Sequence, residues 1–453
     1  MSLSDLEIQE IIDRVHRRMG DVPEGSRPGV TLAARADLDV EMDLGDGIFA
    51  TIDDAVGAAK RAQVEYAKMG LKTRHDIVDG IRRSMFEHAE SLARLAHTET
   101  GLGRYEDKVK KNLLVTTKTP GPEDLEPQAV TGDGGMSVTE WAPMGLVGAI
   151  TPTTNPTSTI INNSISILSG GNAAVFNVHP GAKRVSAENI RLINRAVVAN
   201  GGPANLVTAI PNPTIDSAKE LMVHPDIRVL LVTGGPAVVR EALRTDKRAV
   251  AAGPGNPPVV VDETADIERA GRAIVAGASF DNNIICTDEK IGIVVDTVGD
   301  RLIRSMADAG AYILKAHELK RLERVIFKEM GAPNKPGVIN PAWIGKNAGT
   351  ILAEIGIQSD KDIRLAVAEV PNDHSLVWTE QMMPIFPVTR VSNVDAAIDL
   401  AVRAEHGFRH TAGIHSTNVE TITKMARAMN CSIFVANGSF FSGLGEGGEG
   451  YSS

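Results

Sequence analysis

Short apolar segments alternate with helical segments through the middle of this chain, and that alternation is the strongest constraint on its fold. Between residues 146 and 234 the apolar segments are LVGAIT, AAVFNV, LVTAI and VLLVTG. A second series follows, PPVVVD, KIGIVVD and SIFVAN. Continuously apolar strands separated by helices are typical of a parallel sheet covered on both faces. The sequence therefore predicts an α/β protein with two parallel-sheet domains that meet near residues 249–256.

The segments before the first of these strands predict helices and a hairpin. Helical patterns occupy residues 51–69, 72–101 and 105–119, and alternation around the Gly132–Gly135 turn predicts a β-hairpin. The apolar residues of segment 3–19 fall on one helical stripe, and the linker that follows is rich in Pro and Gly. Two interpretations of segment 3–19 stay open: a tethered helix that binds a partner, or a first helix docked on the body.

Composition and charge restrict the class of protein. No run of 18 or more apolar residues is present, so we expect no membrane span, and the amino end lacks the pattern of a secretory signal. The net charge of −10 is spread along the chain, which disfavours a nucleic-acid partner. Two cysteines in 453 residues favour a reducing compartment and argue against a disulfide framework.

Two motifs suggest a chemistry that their context does not support. Segment 443–448 matches the dinucleotide pattern G-x-G-x-x-G, but no helix is predicted behind it to hold a pyrophosphate. His406, His410 and His415 have a metal-like spacing, but intervening glycines disfavour one continuous helix. We therefore expect neither a dinucleotide site at segment 443–448 nor a metal site at the histidines.

The turn VTGGPAVVR is a better candidate for contact with a nucleotide. Thr233, Gly234 and Gly235 follow an apolar strand, and the helix behind them offers backbone N–H groups to a phosphate. An ordinary tight turn explains the same residues equally well. This segment alone does not decide between the two interpretations.

The segment SFDNNIICTDEK places Cys286 on a loop between a helix and a strand. A free cysteine beside isoleucines is most often a small core residue, whereas a loop thiol can act as a nucleophile once it is deprotonated. Asp288 and Glu289 would oppose that deprotonation, so other groups must compensate. Asn155, after the strand LVGAIT, offers an uncharged amide N–H to an oxyanion. These surroundings favour the nucleophile.

Six blocks of the sequence occur in the order found in the aldehyde dehydrogenase superfamily. The chain resembles members of that superfamily from about residue 46 to 450. The blocks are PMGLVGAITPTTNPTSTIIN, VFNVHPGAK, LLVTGGPAVV, AAGPGNPPVVVD, SFDNNIICTDEK and HTAGIHS. They are most similar to the branch that acylates coenzyme A. The amino-terminal helix and linker resemble the encapsulation tails of aldehyde dehydrogenases carried inside bacterial microcompartments, and GLGEGGEG near the carboxyl end fits that subgroup.

The resemblance implies two Rossmann-like parallel-sheet α/β domains, the aldehyde dehydrogenase fold, with a β-hairpin oligomerisation arm. The family uses that hairpin for assembly, so a homo-oligomer, dimer or tetramer, is expected. The family usually continues into a strand that joins the oligomerisation sheet, whereas this chain stops at Ser453, and this departure leaves the oligomeric state open. The expected parts are a helix and linker (1–45), a nicotinamide nucleotide-binding domain (46–249) with the arm near 128–142, a catalytic domain (250–430), and a carboxyl-terminal strand with a Gly-rich loop (431–453).

The resemblance also implies roles for individual residues. Cys286 is the expected nucleophile, Asn155 and the Cys286 backbone N–H are the expected oxyanion donors, and Glu380 stands where the family holds the nicotinamide ribose. His179 replaces the lysine of hydrolytic members at the adenosine ribose, which leaves the choice between NAD and NADP open. Ala252 replaces the glutamate that activates water in those members. The remaining residues expected to line the nucleotide cleft are Thr151, Pro152, Thr153, Thr154, Pro180, Thr233, Gly234, Gly235, Gly253 and Pro254.

The activity implied by the resemblance is oxidation of a short-chain aldehyde to acyl-CoA, with reduction of NAD and a thioester on Cys286. The expected partners are a small aldehyde, coenzyme A and, through residues 3–19, microcompartment shell or core proteins. The expected location is the bacterial cytoplasm, within a microcompartment. Two alternatives remain: a hydrolytic aldehyde dehydrogenase that releases a carboxylate, and a non-catalytic shell-binding protein.

Overall fold

The computed structural model describes residues 44–447, so the predicted amino-terminal helix at 3–19 and residues 448–453 lie outside the described part. The strands are β1 (Gln128–Gly132), β2 (Gly135–Thr139), β3 (Leu146–Ile150), β4 (Ala173–Asn177), β5 (Val207–Ala209), β6 (Ile227–Thr233), β7 (Arg248–Ala252), β8 (Pro258–Val261), β9 (Ile291–Val295), β10 (Tyr312–Ile313), β11 (Phe327–Glu329), β12 (Val338–Ile339), β13 (Ala366–Glu369), β14 (Ile385–Val391), β15 (Thr411–His415) and β16 (Ile433–Ala436).

The helices cover the sheets and connect successive strands. They are α1 (Ile52–Tyr66), α2 (Leu71–Glu87), α3 (Ala89–Thr100), α4 (Tyr105–Lys118), α5 (Pro156–Ser169), α6 (Lys183–Ala199), α7 (Ile215–Val223), α8 (Pro236–Leu243), α9 (Ile267–Ala278), α10 (Asp296–Asp308), α11 (Ala316–Ile326), α12 (Ala348–Ala353), α13 (Ser375–Trp378), α14 (Val394–Ala404) and α15 (Val419–Met429). No helix within residues 44–447 is long and apolar enough to cross a membrane.

The first sheet has five parallel strands in the order β5-β4-β3-β6-β7. Every residue of β3 and β4 is buried, as their continuous apolar sequence predicts for central strands of a covered sheet. The sequence did not predict β7, because its residues alternate between exposed and half-buried, the pattern of an edge strand. The predicted parallel α/β architecture is confirmed.

The second sheet has seven parallel strands in the order β10-β13-β14-β9-β8-β15-β16. The predicted strands β8 and β9 lie near its centre and are buried at every residue, whereas β16 lies at one edge. β7 ends the first sheet at Ala252 and β8 opens the second at Pro258. The chain therefore changes sheet over residues 252–258, although the predicted domain limits stay a prediction.

The helical segment predicted at residues 72–101 folds as two helices, α2 and α3. They are separated at His88, whose ψ of 5° departs from the helical value. α3 ends at Gly101, which has φ 65°, a left-handed conformation that glycine adopts without a side-chain clash. Helical periodicity continues through the break, so periodicity alone could not locate it.

The predicted hairpin is formed by β1 and β2, which pair antiparallel from Gln128 with Thr139 to Gly132 with Gly135. All its strand residues are exposed, including apolar Val130 and Met136, which are 71% and 69% exposed. An isolated two-stranded hairpin is marginally stable in water. An exposed apolar arm of this kind is typical of a surface that another chain covers.

Candidate active site

A cavity of about 680 Å³ opens at the carboxyl ends of the strands of the first sheet. Its walls come from the turns after β3, β4, β6 and β7, and the Cys286 loop lies opposite them. In parallel α/β sheets, ligands bind outside the carboxyl ends of the strands. The cavity is lined by all fourteen site residues expected from the sequence: Thr151, Pro152, Thr153, Thr154, Asn155, His179, Pro180, Thr233, Gly234, Gly235, Gly253, Pro254, Cys286 and Glu380.

Cys286 is a half-buried residue between a 3₁₀ turn at Phe280–Asn283 and strand β9. Burial, and to a smaller extent the Glu380 carboxylate, raise the pKa of its thiol to about 12, against an opposing effect of Lys290. Asp288 raises the same pKa, in the direction expected from the sequence. The thiol of the free protein is therefore protonated at neutral pH, and reaction requires removal of its proton.

Three residues before Cys286 adopt a left-handed backbone: Asp281, Asn282 and Asn283 have φ of 43°, 57° and 61°. Asp and Asn are the non-glycine residues that tolerate this conformation best. The side-chain amides of Asn282 and Asn283 also donate hydrogen bonds that hold the loop in place. Asn282 Nδ2 donates to the Gly345 oxygen at 2.9 Å, and Asn283 Nδ2 donates to the Ala278 oxygen at 2.8 Å. The polar run that precedes Cys286 is therefore a buried structural support.

Lys290 holds the same loop from the opposite side. Its fully buried Nζ donates to the Asn283 backbone oxygen at 2.6 Å, to Asn283 Oδ1 at 2.7 Å and to the Ile285 oxygen at 3.0 Å. Asp288 and Glu289 are also buried, and burial raises the pKa of each to about 8. Sequence reasoning missed Lys290, because a run of charged residues normally indicates a solvated turn.

Asn155 lies immediately before helix α5, at its N-cap. Its Oδ1 accepts a hydrogen bond from Lys111 Nζ at 2.6 Å, and its Nδ2 donates to Thr154 Oγ1 at 3.2 Å. An amide nitrogen has two hydrogens, so one N–H is left for an oxyanion in the cavity. The contact with Lys111 was not expected, because the two residues are 44 positions apart in the chain.

Gly255 contacts Glu380, His410 and the Cys286 loop. The Gly255 backbone N–H donates to the Glu380 carboxylate. A Cβ atom at Gly255 would lie 2.8 Å from the Cys286 backbone oxygen and 3.2 Å from His410 Cγ. Burial lowers the pKa of His410 to about 4, with a smaller effect of Lys290, so its ring is neutral at pH 7. A neutral imidazole can accept a proton, a role that sequence reasoning did not assign to His410.

Ala252, at the carboxyl end of β7, has an exposed side chain, and its backbone oxygen accepts a hydrogen bond from the Gly234 N–H at 3.1 Å. The next two residues, Gly253 and Pro254, line the cavity. A methyl group accepts no proton, so this position cannot act as a base. Within residues 44–447 no cluster of His, Cys, Asp and Glu is arranged to hold a metal ion.

The cleft fits a dinucleotide in two respects. Thr151 Oγ1 is a buried oxygen without a hydrogen-bond partner, which a ligand hydroxyl or phosphate can satisfy. A Cβ at Gly235 would meet no atom within 4 Å, so the turn before α8 leaves room for a close approach. The backbone N–H groups at the start of α8 suit a phosphate. The volume is within the range of about 300–1,000 Å³ typical of small-molecule and cofactor sites.

Comparisons of the chain with a family pattern and with individual known proteins indicate the same family. The pattern described as the aldehyde dehydrogenase family matches residues 34–320 and 365–452. The chain is 47% identical to the acetylating acetaldehyde dehydrogenase EutE of Salmonella typhimurium, over 100% of this chain and 93% of that protein.

Solved structures agree with this result. Rhodopseudomonas palustris propionaldehyde dehydrogenase, with bound CoA and an acylated cysteine, is 46% identical with a TM-score of 0.86, and the match covers 90% of this chain and 93% of that one. A propionaldehyde dehydrogenase from the fucose-utilisation bacterial microcompartment of Clostridium phytofermentans is 42% identical with a TM-score of 0.86, over 90% and 93% of the two chains. On the family match and these identities, the chain belongs to the aldehyde dehydrogenase family.

Proposed function

We propose that this protein oxidises a short-chain aldehyde to an acyl-CoA, with reduction of NAD and a thioester intermediate on Cys286. The observation that carries the proposal is that Cys286, Asn155 and the glycine-rich turn at 233–235 line one cavity. The similarity to acetylating and propionaldehyde dehydrogenases supports coenzyme A as the acyl acceptor and a small aliphatic aldehyde as the substrate.

In the first step the Cys286 sulfur bonds to the aldehyde carbon and loses its proton. Because the pKa of the buried thiol is about 12, a neighbouring base must accept that proton. The neutral ring of His410, packed beside Gly255, can accept that proton, and because burial lowers the pKa of this ring to about 4 it then passes the proton on to solvent.

The attack places a negative charge on the former carbonyl oxygen. Asn155 Nδ2 offers its remaining N–H to that oxygen, and the Cys286 backbone N–H offers a second donor. Donors that are already fixed in place stabilise such a charge without reorganisation, and removal of one costs typically 10²–10³-fold in kcat. The turn at 151–155 carries Asn155 and lines the nucleotide cleft at the same time.

The residues that would hold the nicotinamide nucleotide are Thr151, His179, the turn at 233–235 and Glu380. When bound, the nucleotide supplies the acceptor for the electron pair removed from the aldehyde carbon. His179 Nδ1 accepts a hydrogen bond from the Gly181 N–H at 3.0 Å, and so its ring is held at the mouth of the cleft. Burial lowers the pKa of His179, so its ring offers no positive charge to the 2′-phosphate of NADP at pH 7, and NAD is the proposed nucleotide.

Release of the acyl group determines the product. Water needs a positioned base to attack a thioester at neutral pH, an effect worth typically ~10²–10⁴-fold. Ala252, at the position where the resemblance gives hydrolytic members a glutamate, offers no carboxylate to activate water, so the thioester persists until the acyl group passes to the thiol of coenzyme A. This reasoning favours acyl-CoA over a carboxylate product, and an intact Cys286 with Asn155 argues against a non-catalytic scaffold.

We further propose that the protein works as a homo-oligomer inside a bacterial microcompartment. The exposed apolar hairpin β1–β2 is suited to cover, or be covered by, a second copy of the chain. The similarity to a propionaldehyde dehydrogenase from a microcompartment supports the location. Residues 3–19, outside the described residues, remain the proposed contact with a shell or core protein.

The decisive experiment measures NADH formation and product identity with propanal, with and without coenzyme A. We expect sustained NADH formation and propanoyl-CoA only when coenzyme A is present. Equal turnover without coenzyme A, with release of propanoate, would establish the hydrolytic alternative. No NADH under either condition, from a folded protein, would support the non-catalytic alternative.

A further inference from the structure

Two lysines of helix α4 form ion pairs with one buried carboxylate. Lys108 and Lys111 are one helical turn apart, and the side chains of Lys108, Lys111 and Asp281 are 2%, 7% and 0% exposed. Lys108 Nζ lies 3.1 Å from Asp281 Oδ2, and Lys111 forms a second ion pair with the same oxygen. We name Lys108, Lys111 and Asp281 the lysine–aspartate cluster.

The same two lysines reach the turn that carries Asn155. Lys111 Nζ donates to Asn155 Oδ1 at 2.6 Å, and Lys108 Nζ approaches the Thr154 backbone oxygen at 3.5 Å. Asp281 precedes Cys286 by five residues, and Cys286 lines the cavity. The cluster therefore connects the oxyanion donor to the loop of the nucleophile by direct contacts.

The surroundings of Asp281 are built for this arrangement. Its Oδ1 accepts the Arg104 backbone N–H at 2.6 Å, and its own N–H donates to Asp107 Oδ2 at 2.9 Å. A Cβ at Gly103 would lie 1.9 Å from Asp281 Oδ1, so only glycine allows the carboxylate to sit there. Burial alone would raise the pKa of Asp281, but Lys108 and Lys111 outweigh it and hold that pKa below its usual value.

Burying charged groups costs desolvation free energy, so a buried cluster of charges contributes little net stability to a fold. Apolar residues of similar volume often replace a buried ion pair without loss of stability. Two lysines and one aspartate carry one excess positive charge when all three are ionised. Lys111 also donates a hydrogen bond directly to the amide oxygen of Asn155. The position of that charge suits a neighbouring oxyanion better than it suits the core.

We propose that Lys111 is a positioning residue for aldehyde oxidation: by binding Asn155 Oδ1 it fixes which edge of the amide faces the cavity. The oxygen and nitrogen of an amide differ little in size, so an unheld Asn155 can rotate and present its oxygen. An oxygen would repel the developing oxyanion, whereas the nitrogen donates to it. The proposal rests on the proposed function, since it gives Lys111 a role only if Asn155 stabilises an oxyanion.

The first test uses Lys111→Met in the full-length protein, with Lys110→Met as the matched control on the same helix. The readouts are the rate of the single-turnover NADH burst with propanal and the rate of Cys286 alkylation by iodoacetamide, which forms no oxyanion. We expect a burst about 10- to 100-fold slower in Lys111→Met, up to the loss typical of one oxyanion donor. Alkylation in Lys111→Met, and both rates in Lys110→Met, should stay near those of the wild type.

The second test is a double-mutant cycle with Asn155→Ala. If Lys111 acts through Asn155, Lys111→Met should slow the burst by no more than about twofold further in the Asn155→Ala background. Lys111→Arg, which keeps a positive donor beside Asp281, should recover part of the lost rate and show the same dependence on Asn155. This variant also keeps the test available if Lys111→Met folds poorly.

Three outcomes would overturn the inference: an unchanged burst in a folded Lys111→Met protein, a parallel loss of alkylation, or an equal loss in the presence and absence of Asn155. The proposed function fails separately, when the wild type gives no burst with propanal or no acyl-CoA. An Asn155→Ala variant with a normal burst would remove the oxyanion role of Asn155, and the role of Lys111 with it.

Discussion

Gly255 lies directly against Cys286: a Cβ atom on Gly255 would lie 2.8 Å from the Cys286 backbone oxygen. The contact is with backbone, which cannot rotate away as a flexible side chain can. We therefore predict that Gly255→Ala displaces the Cys286 loop, lowers kcat/KM by about tenfold or more and destabilises the fold by about 1–3 kcal/mol, the usual penalty of overpacking. Gly349→Ala is the matched control, since a Cβ at Gly349 meets no atom within 4 Å. Wild-type activity in Gly255→Ala would show that the loop tolerates movement.

The assignment of the nucleophile predicts different behaviour for the two cysteines. Cys286→Ala should abolish NADH formation and leave the unfolding midpoint close to that of the wild type, because the half-buried thiol faces a cavity. Cys431 Sγ donates to the Ile433 oxygen at 3.0 Å and does not line that cavity, so Cys431→Ala should remain active. Steady-state rates and thermal melts of both variants provide the measurement. A Cys286→Ala enzyme that keeps a tenth of the wild-type rate would contradict the assignment.

The raised pKa of Cys286 predicts a specific pH dependence. With a pKa of about 12, the reactive thiolate fraction should increase about tenfold for each pH unit between pH 7 and 10, without a plateau. The measurement is iodoacetamide alkylation of the ligand-free Cys431→Ala protein, in which Cys286 is the remaining thiol. A plateau below pH 9 would show that the protein already stabilises the thiolate.

The same pKa predicts the effect of pH on stability. The unfolded thiol ionises near pH 8.5, whereas the folded thiol keeps its proton to about pH 12. The folded state thus binds more protons in this window, and the Cys286 contribution to stability is fully present below pH 8.5 and declines as the pH rises above it. Compared with Cys286→Ala, the wild type should lose stability more steeply between pH 8.5 and 10 in urea unfolding. Identical slopes would argue against a buried, protonated thiol.

The absence of a base at Ala252 predicts the behaviour of the thioester. Without coenzyme A, propanal should produce about one equivalent of NADH per active site and then almost none. Ala252→Glu should add slow CoA-independent turnover with release of propanoate, because a carboxylate can activate water. Val250→Glu is the control, since it places a glutamate on the same exposed side of strand β7 two residues earlier. Sustained CoA-independent turnover by the wild type would overturn the acylating assignment.

The proposed partner of residues 3–19 gives a prediction about assembly. Removal of residues 1–20 should leave soluble activity near that of the full chain and abolish co-purification with microcompartment shells. A helix that binds by an apolar stripe loses its partner when the stripe is removed, while the enzyme is unaffected. Co-expression with shell proteins, followed by shell isolation and activity assay, measures both. Failure of the shortened chain to fold would support the docked first helix.

The sequence predicted most of the fold where strands are continuously apolar. Strands β3, β4, β8 and β9 were found because every residue of each is buried. Strand β14 was not found, although it lies inside the second sheet, because Pro387 interrupts its pattern and proline usually argues against a central strand. The short edge strand β10 contains two residues, too few to show any period.

The residues that line the site were predictable from the sequence, but the buried residues that hold them in place were not. Cys286 and Asn155 were assigned from sequence blocks that resemble a known family, and the cavity places both on its wall. Lys290 was missed because it belongs to a run of charged residues, although its partners Asn283 and Ile285 are close in sequence. Lys111 was missed because its partners are set by tertiary packing. The hydrogen bond from Lys111 to Asn155 spans 44 residues, and the ion pair with Asp281 spans 170. A lysine in sequence is normally a solvated residue, and nothing local distinguishes one that is buried.

The cavity is lined from both sheets: His179 follows strand β4 and Thr233 ends strand β6 of the first, whereas Cys286 and Glu380 belong to segments that join strands of the second. A molecule bound there acts as a bridge between two separately packed cores. Its binding free energy is then shared by both cores, contributing about 2.7 kcal/mol at a free concentration of 100 times the Kd. When the cavity is occupied, the two sheets should unfold in one cooperative transition. The thermal unfolding midpoint should then depend on the bound molecule.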